Sequence, residues 1–101
     1  MDRLTKTAST SEKNIEKYLT DEVKKRGGLS LKYHSGGESG YPDRIVILPG
    51  RPAFWVELKS KGERPRPLQQ HRIEELRALG QKVYVADSKT IIDLILQRNE
   101  I

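Results

Sequence analysis

At 101 residues the chain has room for one domain with a modest core, and 33% charged residues against 35% hydrophobic ones leave much of it facing water or a charged partner. The absence of cysteine excludes disulfides, thiolate metal sites and thiol catalysis. A net charge of +5 favours polyanionic partners. No 18-residue apolar run or apolar N-terminal signal core occurs, so a soluble, cytoplasmic protein without a membrane anchor is expected.

Residues 1–8 are expected to be frayed. Helical spacing begins near Ser11 and runs to about Arg26, with Ile15, Tyr18, Leu19 and Val23 along one side, and Gly27-Gly28 stops it. Leu29 to Tyr33 alternates and predicts a short strand. His34 to Gly40 is a flexible loop, and Tyr41 before Pro42 is pushed towards an extended backbone. Arg44 to Leu48 is β-branched and nearly continuously apolar, which predicts a strand buried on both faces. Pro49 to Pro52 makes a turn into a second central strand, Ala53 to Leu58, so the two form an antiparallel hairpin. A basic, proline-punctuated loop, Lys61 to Pro67, leads into a helix from Leu68 to about Leu79, with Pro67 in its first turn and Gly80 after it. Lys82 to Ala86 is the next strand, and Ser88 caps a closing helix rich in Ile91, Ile92, Leu94, Ile95 and Leu96. The result is a single α/β domain over residues 1–101, in the order α-β-β-β-α-β-α.

The chemistry lies around the hairpin. Asp43 opens one strand, and Glu57-Leu58-Lys59 ends the next. Residues two apart on a strand share a face, so Glu57 and Lys59 project together, and Asp43 can join them from the neighbouring strand. A buried carboxylate must be paired, protonated or bound to a metal. This is the PD…(D/E)xK pattern of metal-dependent nucleases, and hard oxygen ligands of this kind suit Mg²⁺ or Mn²⁺. The plain alternatives are a surface Glu57–Lys59 ion pair and an ordinary turn role for Asp43 after proline. His34 and His71 lie on unrelated segments without zinc spacing.

Three further groups have two readings each. On a helical wheel Glu12 falls between Leu19 and Val23, inside the apolar stripe, which would carry an acid to the site; the alternative is a Ser9-x-x-Glu12 capping box. Gln69 falls between Leu76 and Ile73, whereas Gln70 lies outside that arc. A glutamine so placed can orient a water or hold a metal-bound oxygen, or simply hydrogen-bond within the core. Arg44, Lys61, Arg64, Arg66 and Arg72 flank the acids in sequence and would form a phosphate-binding rim, although each taken singly is a solvated charge.

These residues resemble a known family. Glu12-x-x-Ile15-Glu16-Lys17-Tyr18-Leu19, Gly27-Gly28-Leu29, Gly40-Tyr41-Pro42-Asp43-Arg44, Glu57-Leu58-Lys59 and Pro67-Leu68-Gln69 look, in that order, like the VRR-NUC nuclease domain, and Glu75-Leu76-Arg77-x-x-Gly80-x-x-Val83 continues the likeness. The match covers nearly the whole chain and is similar to the stand-alone viral or bacterial members. It implies a restriction-endonuclease-like core, a mixed sheet flanked by helices, and cleavage of DNA with Mg²⁺ or Mn²⁺. Carried over by residue, the motif acids are Glu12, Asp43 and Glu57, the lysine is Lys59 and the family glutamine is Gln69. Asp43, Glu57 and the backbone carbonyl of Leu58, with Glu12 as a further candidate, would hold the metal. The resemblance also implies a homodimer acting on branched DNA such as four-way junctions, in a bacterial or virus-infected bacterial cell. The closing helix is the expected dimer surface, with burial on its own sheet as the alternative. His34 to Ser39 departs from the Ser-Pro-Gly expected in that loop, which bears on substrate choice. A non-catalytic, basic DNA-structure-binding module is the second functional reading, and an RNA nuclease the third.

Overall fold

The computed structural model describes residues 11–100; the expected fraying of residues 1–8 and the capping role of Ser9 fall outside them. The elements are α1 (Glu12–Lys25), β1 (Leu29–Lys32), β2 (Arg44–Ile47), β3 (Phe54–Leu58), α2 (Pro67–Ala78), β4 (Val83–Ala86) and α3 (Lys89–Arg98). Their order is the expected α-β-β-β-α-β-α. One four-stranded sheet has the order β1-β2-β3-β4, antiparallel up to β3 and parallel between β3 and β4, with α2 as the crossover.

Strand alternation divides the side chains between two layers. Val46, Phe54, Val56, Leu58 and Ala86 point to one face and form the main core with Ile15, Leu19 and Val23 of α1 and Ile92, Ile95 and Leu96 of α3. The opposite face carries a smaller cluster, in which Ile73 and Leu76 of α2 pack with Val83, Val85, Trp55 and Tyr41.

The helix ends follow ordinary capping chemistry. Ser11 accepts from the Asn14 amide at 3.2 Å and Ser88 from the Ile91 amide at 3.1 Å. Since Ser11 is the cap, Glu12 is the first residue of α1 and does not stand at the third position that a box begun at Ser9 would require. After α1 the chain turns so tightly that a Cβ on Gly28 would stand 2.4 Å from the Ile47 carbonyl oxygen. Gly28→Ala should therefore destabilise the domain by about 1–3 kcal/mol, as other overpacked sites do. Urea denaturation of the variant checks this.

The second central strand is deeply buried, but β2 departs from the expectation of burial on both faces. Ile47 is 37% exposed, beside Leu29 at 58% and Leu31 at 45%. The cause is that α2 covers β3 and β4 only, leaving the outer half of that face open. The closing helix also resolves one alternative. Ile92, Ile95 and Leu96 are buried in the chain's own core and Ile91 packs against it, so only Leu94 remains strongly exposed, at 55%.

Candidate active site

The β2–β3 register pairs Arg44 with Val56, and one step further places Asp43 opposite Glu57. Directly opposed residues of an antiparallel pair share a face with their Cβ atoms close together. The same rule extends the row to Tyr33 on one side and to Val85, the parallel partner of Glu57, on the other. Backbone hydrogen bonds fix this row: the Tyr33 amide donates to the Asp43 carbonyl at 3.0 Å, and the Lys59 amide to the Ala86 carbonyl at 3.0 Å. The Asp43 carboxylate is itself held, because its Oδ2 accepts from the Leu58 amide at 2.9 Å.

Glu57 is 1% exposed and Lys59 8% exposed. Lys59 Nζ lies 3.6 Å from Glu57 Oε2, whereas Glu57 Oε1 is buried without a hydrogen-bond partner. This is no surface ion pair. Burial, and then the negative charge of Asp43, push the Glu57 carboxyl up to about 7, against the opposing pull of Lys59. A buried carboxylate oxygen without a partner, facing a second carboxylate, is a place where a cation removes an electrostatic penalty. The donor set fits a hard divalent ion, since Mg²⁺ is commonly held by one or two carboxylates with waters and substrate phosphate completing its shell.

Glu12, at the amino end of α1, is within electrostatic reach of this pair. Partial burial first, and then Asp43, raise its carboxyl above the ordinary range, while Lys59 lowers it. Among the described residues no group of three or more histidines, cysteines, aspartates or glutamates is placed to hold a metal ion, and Glu12 is tied to Asp43 and Lys59 only through their charges.

The remaining sequence candidates separate. Gln69 and Gln70 are both half-buried, so the wheel's separation of the two does not hold, and Gln69 Oε1 accepts from the Arg66 amide at 2.8 Å and so closes the amino end of α2. Arg44 is on the sheet face opposite to Asp43 and Glu57. There its Nε donates to Glu16 Oε2 at 2.9 Å and its Nη1 to the Ser30 carbonyl at 3.1 Å. Arg72 bonds to the loop before Asp43. Lys61, Arg64 and Arg66 are exposed, as are His34 and His71. Sequence reasoning missed a cleft of about 370 Å³ whose lining includes Arg64, Gln70, Val85 and Asp87, adjoining Glu57 through Val85. The Gly62 amide donates to Asp87 Oδ2 at 3.0 Å and ties the basic loop to the end of β4. The one cue in sequence was Asp87 itself, an acid immediately after a strand end.

A mixed sheet that sets an aspartate opposite a Glu-x-Lys at one end has the arrangement of the PD-(D/E)xK nuclease class. No family model matches the chain. It is 43% identical over 84 residues to "Putative nuclease p44" of Acyrthosiphon pisum secondary endosymbiont phage 1, spanning 83% of this chain and 90% of that protein. A solved structure described as a VRR_NUC domain superposes with a TM-score of 0.81 at 34% identity, covering 87% of this chain and 96% of the other. The chain belongs to the VRR-NUC nuclease family.

Proposed function

We propose that the chain is a divalent-metal-dependent endodeoxyribonuclease acting on branched DNA such as four-way junctions. The observation that supports this best is the buried Glu57 carboxylate, with one unpartnered oxygen, opposite Asp43 and beside Lys59. Asp43, Glu57 and the Leu58 carbonyl would hold Mg²⁺ or Mn²⁺, with Glu12 supporting from α1. When bound, the cation supplies Lewis-acid stabilisation of phosphate charge and a more acidic water.

The chain's own residues do the rest. Lys59, buried along its stem with its ammonium against Glu57, offers a fixed positive charge to the attacking water or to the developing phosphate charge. Lys61, Arg64 and Arg66 form an exposed cationic approach for the backbone. Gln69 acts by fixing the amino end of α2 beside this loop.

A homodimer belongs to the same reading, since paired cuts in two strands need two sites and a two-fold dimer supplies them. A monomer by light scattering at micromolar concentration would remove that part of it. Among the described residues no helix is long and apolar enough to cross a membrane, and the bacterial cytoplasm is the proposed place of action.

The test is a labelled immobile four-way junction and a matched linear duplex, incubated with Mg²⁺, Mn²⁺ or EDTA. Paired, metal-dependent cuts near the crossover are expected. Binding without cutting in either metal would favour the non-catalytic DNA-binding module, and preferential cutting of RNA the third reading.

Protons and cation compete for Glu57. Its carboxyl is raised to about 7, so the metal-binding form is lost as pH falls through that value. Cleavage at low Mg²⁺ should therefore rise as pH is increased through about 7, and its midpoint should move to lower pH as Mg²⁺ is raised. Rate profiles at two metal concentrations check this; a midpoint indifferent to metal would contradict it.

A further inference from the structure

We propose that Arg72 is a positioning residue for Asp43: it straps the loop that delivers the aspartate onto α2, and does not grip DNA phosphate. The inference rests on the reading of Asp43 as a metal-holding acid.

Three loop residues are tied to this one side chain. Arg72 Nε donates to the Ser39 carbonyl at 3.1 Å, Nη1 donates to the Tyr41 hydroxyl at 3.2 Å, and Nη2 lies 3.5 Å from Glu38 Oε1. The guanidinium carbon stands 4.6 Å from the centroid of the Tyr41 ring, within cation–π range. Glu75 completes the strap, accepting from Tyr41 at 2.9 Å and pairing with Arg72 at 3.3 Å. The loop backbone presses directly on α2. Gly40 has a φ of +90°, and a Cβ there would meet Leu68 Cγ at 2.8 Å and Arg72 Cγ at 3.2 Å. From Gly40 the chain passes through Tyr41 and a buried Pro42 straight into Asp43, which leaves little slack between strap and acid.

The same contacts argue against a phosphate role. The Arg72 side chain is 19% exposed, and two carboxylates already face it. A phosphate would have to displace Glu38 or Glu75. Lysine could not replace the strap, because it lacks the planar fork that bonds the loop and stacks on Tyr41 together.

The Leu58 amide reports directly on Asp43, since it donates to Oδ2, and the Lys59 amide, bonded to the Ala86 carbonyl one residue further along the chain, is its control. Hydrogen exchange of both amides by NMR is compared in wild type, Arg72→Lys and Arg72→Met, together with steady-state cleavage at several salt concentrations. The expected result is Leu58 exchange about tenfold faster in both variants with Lys59 unchanged. Alongside it, kcat falls about ten- to a hundredfold, as for a displaced catalytic group, with KM and the salt dependence unaltered. Wild-type kcat and Leu58 protection in Arg72→Lys would overturn the proposal. So would a raised KM and a salt slope lowered by about one in Arg72→Met, the signature of a lost phosphate contact. Equal acceleration of both amides would reduce Arg72 to general stability and also overturn it. A wild type that cuts nothing would sink the proposed function, while Leu58 exchange would still decide the strap.

Discussion

Asp43→Asn and Lys59→Met should each lower cleavage by about a thousandfold or more, the scale on which preorganised charge acts, while leaving the fold intact. Asparagine keeps an oxygen that can accept from the Leu58 amide, so the 2.9 Å bond survives and only the charge is lost. Methionine retains most of the buried stem of Lys59, which is 8% exposed, and removes the ammonium 3.6 Å from Glu57. Both proteins should bind junction DNA with nearly wild-type affinity, because Lys61, Arg64 and Arg66 are untouched. Melting curves and gel-shift titrations establish that each is folded and bound. Near-wild-type cutting by either would refute the assignment of this site.

Glu57→Gln should produce two effects of opposite sign: cleavage disappears and the metal-free protein becomes more stable at pH 8. The folded-state carboxyl is raised from 4.5 to about 7, chiefly by burial and then by Asp43. The native state thus holds its proton more tightly than the unfolded chain. Its stabilising contribution is complete below about pH 4.5 and is lost as pH rises to about 7, a difference on the order of 3 kcal/mol. Above pH 7 the wild type carries a buried carboxylate that glutamine does not have. The melting temperature of Glu57→Gln should exceed that of wild type at pH 8 in EDTA, and the gap should close towards pH 5. Saturating Mn²⁺ should raise the wild type and leave the variant unmoved. A variant less stable than wild type at pH 8 would mean that Glu57 is a structural partner of Lys59.

The order of elements was legible because each carries its own local signature: apolar spacing on α1, serine caps before α1 and α3, and Pro67 at the head of α2. Asp43, Glu57 and Lys59 were legible for a related reason. One hairpin joins them, so strand alternation alone puts them on a common face. The basic residues were not, because long side chains choose partners that sequence distance does not reveal. Arg44 pairs with Glu16 on another element, and Arg72 reaches back to Ser39. Gln69 is no more buried than Gln70, and its oxygen serves the helix end three residues earlier. The exposure of Ile47 depends on where α2 stops covering the sheet, a property of the assembled layers that an apolar run cannot encode.

The pairing of Asp43 with Glu57 is set at the far end of the hairpin, by the number of residues between Ile47 and Phe54. Side chains alternate with a period of two, so adding or deleting one residue in that turn, with the pairing shifted to match, would carry one acid to the opposite side of the sheet. The loop around Pro49 and Gly50 therefore acts as a gauge for the distance between two groups it never touches. Drift in its length would disarm the molecule while every acidic side chain remained in the sequence.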